Sequence, residues 1–139
     1  MTTTAQHAVD ALLWCSTVEQ DGETIEADNF EASPQLVARV SKEWDQFSNQ
    51  AMEIGFDAEL HRELMINRAE GDEWAHCAHD WILTRQGTGS GLNDPGKWLK
   101  PWGEKLTRLA IYELCYVEGL KDEELYLYID DNNQISAEA

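Results

Sequence analysis

At 139 residues, 42% of them hydrophobic and six of them tryptophan, the chain is long enough for one domain with a sizeable core, and it is too apolar to stay disordered even at a net charge of −17. That charge opposes direct contact with nucleic acid or an anionic membrane over the whole surface, since phosphate binding needs local positive charge, and it favours basic partners. Three widely spaced cysteines without a CxxC pair, no basic region ahead of the first apolar run, and no apolar run long enough to cross a bilayer argue against disulfides, secretion and membrane insertion, so a cytoplasmic location is expected.

The first predicted element is a helix capped by Thr4 and running to about Trp14, with Ala5, Val9, Leu12 and Leu13 near one face. An exposed acidic connection follows from Glu19 to Glu31, turning at Asp21-Gly22; Asp10 to Glu31 holds seven acids and no Lys or Arg. Glu19, Asp21, Glu23, Glu26, Asp28 and Glu31 are the candidate acidic interaction surface, although such acidity also serves plain solubility. Ser33-Pro34 reads as N-cap and first helical residue, and Leu36, Val40, Trp44 and Phe47, widened by Val37 and Ala51, predict a helix ending near Gly55. Asp57 caps a shorter helix through Leu60, Leu64 and Met65, which Glu70-Gly71-Asp72 interrupts. Trp74, Cys77, Ala78 and Trp81 then make one further helical turn.

The stretch from His79 to Asp94, HDWILTRQGTGSGLND, combines a packed apolar run, an arginine and the chain's densest glycine cluster. Its β-formers followed by Gly87, Gly89 and Gly91 predict strand, glycine turn and return strand. Alternating glycines also let a ligand approach the backbone. The stretch therefore carries a second reading, a small enzyme or ligand-binding domain using the glycine-rich turn 86–91, with His79 and Asp80 as acid/base groups and Arg85 as an anion clamp.

Asn93 to Trp102 is a loop punctuated by proline and glycine, its two tryptophans serving as lids on the core or as exposed anchors. Gly103 opens a helix with Leu106, Leu109, Ala110, Leu114 and Val117 on a broad apolar face, closed by Gly119. Leu125 to Ile129 reads as a strand apolar on both faces, turning at Asp131-Asn132-Asn133 into a return strand through Ile135, after which the end should fray. The expected fold is α+β: one domain over residues 1–139, with three or four helices packed on a small, mostly antiparallel β-sheet built from the His79–Asp94 and Leu125–Ile135 hairpins.

Familiar motifs are incomplete. Gly91 to Trp98 nearly spells a phosphate-binding loop, but Trp98 stands where a magnesium-binding hydroxyl is required, and Gly87 to Gly91 lacks dinucleotide-loop spacing. Glu73, His76 and His79 can share a helical face while Cys77 diverges, which is weak grounds for zinc. Neither Cys77 nor Ser90 has a placed base, so no catalytic set, metal or cofactor is assigned.

Taken together, DALLWCST, DGETIEADNF, HDWILTRQGTGSGLND, GEKLTRLA and ELYLYIDDNNQ resemble a group of small uncharacterised phage and mobile-element proteins, whose centre runs HDFWLTRNGHGAGFWD. The likeness covers most of the chain and carries over His79, Asp80, Leu83, Thr84, Arg85, Gly87, Gly89, Gly91 and Asp94 as binding candidates. Thr88 stands where that pattern often has histidine and Leu92 where it has an aromatic, which weakens a catalytic or metal role. The resemblance implies a bacterial host cytoplasm. With the charge, it leads to the expectation of a non-catalytic acidic protein that binds a host or defence protein through a basic surface, as a DNA mimic of anti-restriction or anti-CRISPR type. The basic residues Arg85, Lys97, Lys100, Lys105 and Arg108 either pair locally with Asp94 and Glu104 or make a salt-sensitive self-contact with the Asp10–Glu31 segment, within one monomer or across a homodimer.

Overall fold

A computed structural model describes residues 3–59, 73–86, 91, 92, 98, 101–110 and 125–138. Among them lie four helices, α1 (Thr3–Cys15), α2 (Pro34–Glu53), α3 (Glu73–Arg85) and α4 (Trp102–Arg108), and two antiparallel ribbons, β1 (Thr17–Gln20) with β2 (Glu23–Glu26) and β3 (Leu127–Ile129) with β4 (Ile135–Ala137). The architecture is α+β, as the sequence predicts.

In α1, Ala5, Ala8, Val9 and Leu12 recur at helical spacing and are fully buried, and the helix packs against α3 and α2. The acidic connection is a hairpin rather than a loop. Asp21 and Gly22 both take positive φ, +52° and +82°, which is the two-residue turn whose twist matches paired strands. Val18 opposite Ile25 sets its register, and Ala27 N–H donating to Ser16 C=O at 3.0 Å closes its base.

The α2 termini are built as its sequence predicts. Ser33 Oγ accepts the Leu36 N–H at 3.1 Å with Pro34 in the first turn. At the other end Gly55, at φ +97°, donates to Met52 C=O, and Phe56 donates to Ala51 C=O, both at 3.0 Å. This left-handed stop carries Phe56 into the core, where its ring meets Trp74, Trp98 and Trp102 at 5.4–5.8 Å. The strand expected from His79 is helical instead: α3 runs unbroken through Arg85, with buried residues nearly all round it. A short apolar run does not separate a buried strand from a buried helix, and here the helix satisfies the backbone of a segment enclosed on almost every side.

At the C-terminus, the turn after Ile129 and the return strand occur where expected. The outward Tyr126 and Tyr128 show that one face is exposed rather than both being apolar. The expected fraying is not seen through Glu138, the last described residue, which is held by backbone bonds. β4 also pairs with the segment before α2, Ser33 N–H to Ile135 C=O and Ile135 N–H to Glu31 C=O, each at 2.8 Å. The Gln35 amide bonds both backbone groups of Ala137 at 3.2 and 3.3 Å, and Arg39 Nη1 donates to Glu138 C=O at 2.7 Å. The expected helices through Leu64 and through Val117 fall largely outside the described residues, as do Gly119 and Cys115.

Asp130 organises this corner. Its Oδ1 accepts the Asn132 and Gln134 N–H groups at 2.9 and 3.1 Å, and its Oδ2 lies 2.8 Å from Ser136 Oγ, which is 2.6 Å from Ser33 Oγ. Ser136 has one proton and a carboxylate only accepts, so that proton goes to Asp130 and Ser33 donates to Ser136. The cap of α2 is thereby wired to the tip of the last hairpin. Replacing Ser33 by Ala should cost about 1–2 kcal/mol in urea unfolding, through loss of the cap and of this link.

The Ser136 hydroxyl, with the Gln134 and Asn132 N–H groups, holds the Asp130 carboxyl below the usual carboxylate range against a smaller desolvation effect. A carboxyl with a lower pKa in the folded state stabilises above its unfolded pKa and loses that contribution as pH falls through the folded value. Asp130→Asn should therefore be less stable than wild type near neutrality, with the gap narrowing in a pH series of unfolding curves as pH falls through and below the usual carboxylate range.

Candidate functional site

The residues singled out from sequence divide into two places, the polar side chains of α3 and the acidic surface formed by β1, β2 and the segment after them. On α3, Asp80, Thr84, Arg85 and the following Gln86 are all buried, and each reaches a different part of the fold. Trp98 Nε1 donates to Asp80 Oδ2 at 3.0 Å, seating an indole that is itself buried. Arg85 Nη2 donates to Glu43 Oε1 at 3.3 Å while Arg39 Nε donates to Glu43 Oε2 at 3.2 Å, so one carboxylate on α2 holds an arginine of α3 and one of its own helix. Gln86 pairs with both backbone groups of Leu125, donating to its C=O at 3.0 Å and accepting from its N–H at 2.8 Å.

Thr84 and Gly91 form a clamp. Thr84 Oγ1 donates to Asp80 C=O at 2.9 Å and accepts the Leu92 N–H at 3.0 Å. Gly91, at φ +112°, lies so close to α3 that a Cβ there would stand 2.5 Å from Asp80 C=O and 2.6 Å from Thr84 Oγ1. The glycine needed for close approach is thus approached by the protein's own helix.

His79 is half-buried, with its ring 6.3 Å from that of the exposed Trp14. The His79 ring neighbours Trp14, the Asp80 carboxylate accepts from Trp98, and the Arg85 guanidinium donates to Glu43. Gly87, Gly89 and Asp94 lie outside the described residues, as do Lys97 and Lys100 of the basic stretch. Arg85 does not belong to a surface basic patch, because it is buried against Glu43. Lys105 rests over the Trp102 ring at 5.1 Å.

Burial pushes the Cys77 thiol well above its usual range, and the charge of Asp80 adds to the shift. A protonated, enclosed thiol is a poor nucleophile. Among the described residues no three of His, Cys, Asp or Glu come together as a metal site, and no helix is long and apolar enough to cross a membrane.

Sequence reading missed Glu43 and Gln86, and of the two roles it offered Trp98, lid on the core or exposed anchor, the structure shows the lid, with Asp80 as an unforeseen partner. Glu43 was detectable, since it sits within the apolar stripe between Val40 and Phe47, where a charge has to find a buried partner. Gln86 and Trp98 carried no such signal, as their partners lie 39 and 18 residues away.

The acidic candidates present the opposite situation. Glu19, Asp21, Glu23, Glu26, Asp28 and Glu31 are all exposed. The hairpin register puts Glu19 opposite Thr24, whose hydroxyl donates to Glu19 Oε1 at 2.7 Å, and Glu26 opposite Thr17. No family model, curated protein or solved structure matches the chain.

The clamp has a sharp consequence for mutation. Gly91→Ala adds a methyl against α3 backbone at a strained φ, and a loss of roughly 3 kcal/mol is expected in denaturant unfolding. Thr84→Val, which keeps the shape but strands the Leu92 N–H, should cost about 1–3 kcal/mol, and Thr84→Ser much less.

Proposed function

We propose that this chain is a non-catalytic acidic protein that binds a host or defence protein through that partner's basic, DNA-contacting surface, its carboxylates standing in for phosphates inside a bacterial cell. The observation that carries the reading is the division of labour among the candidate residues. The polar groups of α3 that would serve chemistry are engaged in holding the fold, whereas the acids from Glu19 to Glu31 are all exposed. No Lys or Arg precedes Arg39 in the chain, so nothing in that stretch neutralises them. Such a surface attracts cationic partners over distances set by salt, about 10 Å at 0.1 M, and it competes with DNA for the same arginines and lysines. A phage or mobile-element origin, as the sequence motifs lead one to expect, would put that partner in the host rather than make it a metabolite.

Capture from bacterial lysate tests it. The immobilised chain should retain a DNA-binding protein at about 0.05 M salt, release it near 0.5 M, and lose it to added duplex DNA. Glu19→Gln, Asp21→Asn, Glu23→Gln and Glu26→Gln combined should weaken capture by roughly tenfold or more. Retention that ignores both salt and these substitutions would overturn the proposal.

A further inference from the structure

Beside the acidic hairpin the surface is not only charged. A groove of about 530 Å³ runs between α1 and the chain from Asp28 to Ala32, floored by Val9 and Leu13 of α1, by Phe30 and Ala32, and by Val37 of α2. Its volume falls in the range of roughly 300–1,000 Å³ typical of ligand sites. Asp10, Asp28 and Glu31 rim it, and none of its lining residues is Lys or Arg. Asp10, Asp28 and Glu31 are exposed, while Phe30, Ala32 and Val37 are half-buried and so still offer apolar surface to solvent.

Trp14 completes the site at the end of α1. It also lines the groove, and at 65% exposure it is the most exposed of the large hydrophobic side chains described. Its position follows from helix geometry. The residues α1 buries, Ala5, Ala8, Val9, Ala11, Leu12 and Leu13, leave Trp14 on the opposite side of the helix, so core packing does not explain its exposure. Exposed Trp beside an apolar floor is characteristic of binding hot spots, and its ring face attracts cations.

We infer that this groove takes a cationic amphipathic peptide segment of the partner, with aliphatic or aromatic side chains on the Phe30–Ala32–Val37 floor and Lys or Arg against Asp10, Asp28, Glu31 and the Trp14 ring. Charge complementarity selects this occupant. A second copy of the chain would bring another strongly negative surface to a negative rim, and a polar polycation would leave the floor unfilled. The inference rests on the acidic-binder reading and refines it, since a phosphate mimic alone has no use for an apolar floor.

The test is calorimetric titration of the whole chain with two synthetic peptides of about 15 residues and equal charge, one with leucines along one helical face and Lys and Arg along the other, the second with every leucine replaced by serine. The amphipathic peptide should bind roughly tenfold or more tightly than its polar counterpart. Trp14→Ala, checked for folding by circular dichroism, should remove most of that difference, and Asp10→Asn, Asp28→Asn and Glu31→Gln together should weaken binding and flatten its salt dependence. Equal affinity for the two peptides, indifferent to Trp14→Ala, would overturn the groove while leaving the acidic-surface reading in place. Binding of neither peptide would overturn both. A dimer in light scattering that Trp14→Ala dissociates would assign the groove to a second copy and also overturn the inference.

Discussion

A helix enclosed on almost every side must find partners for each polar side chain it carries, and α3 carries several. Arg85 is the most demanding, because a buried guanidinium without a counter-charge costs several kcal/mol, and the Glu43 carboxylate on α2 supplies that counter-charge. That requirement reaches backward along the chain. It explains why α2 tolerates a glutamate in the middle of its apolar stripe, and why Arg39 stands one turn earlier to take the second carboxylate oxygen. The α2–α3 contact is therefore fixed in register by directional bonds as well as by the aromatic cluster of Trp44, Phe47 and Trp81, whose ring centroids lie 5.6–5.9 Å apart.

The same economy appears at both ends of the C-terminal ribbon. Gln86 and Gln35 each present a side-chain amide to the two backbone groups of one residue, Leu125 and Ala137, and so act as one-residue extensions of a sheet. Ser33 couples the start of α2 to Ser136 and through it to Asp130. Hydroxyls, amides and an ion pair thus join elements that a chain with two small ribbons could not hold together by sheet hydrogen bonding alone. Asp80, Thr84, Arg85 and Gln86 are thereby tied to the rest of the fold, while the carboxylates around β1, β2 and the α1 groove face water.

For function this shifts attention from the glycine-rich stretch to the acidic side. The glycine stretch is dense in residue types that elsewhere bind ligands, yet Asp80, Thr84, Arg85 and Gly91 each have an internal use that suffices to explain them. The exposed carboxylates and the exposed Trp14 lie beside an apolar floor, and that arrangement is the ground for the proposed basic, amphipathic partner.

Much of this was legible in the residues. The spacing of Ala5, Val9 and Leu12, the Ser33-Pro34 start and Gly55 stop of α2, the C-terminal hairpin and the exposure of the acids all depend on neighbours within a few positions, and local geometry decides them. The nature of His79–Arg85 did not, because β-forming side chains compete with a helix whose advantage arises only when the segment is enclosed by the rest of the fold. The roles of Glu43, Gln86 and Trp98, and the groove joining Asp10 to Phe30 and Val37, were likewise settled only by tertiary packing. Each depends on surfaces that meet in space from distant parts of the chain, and no local propensity encodes which surface will arrive.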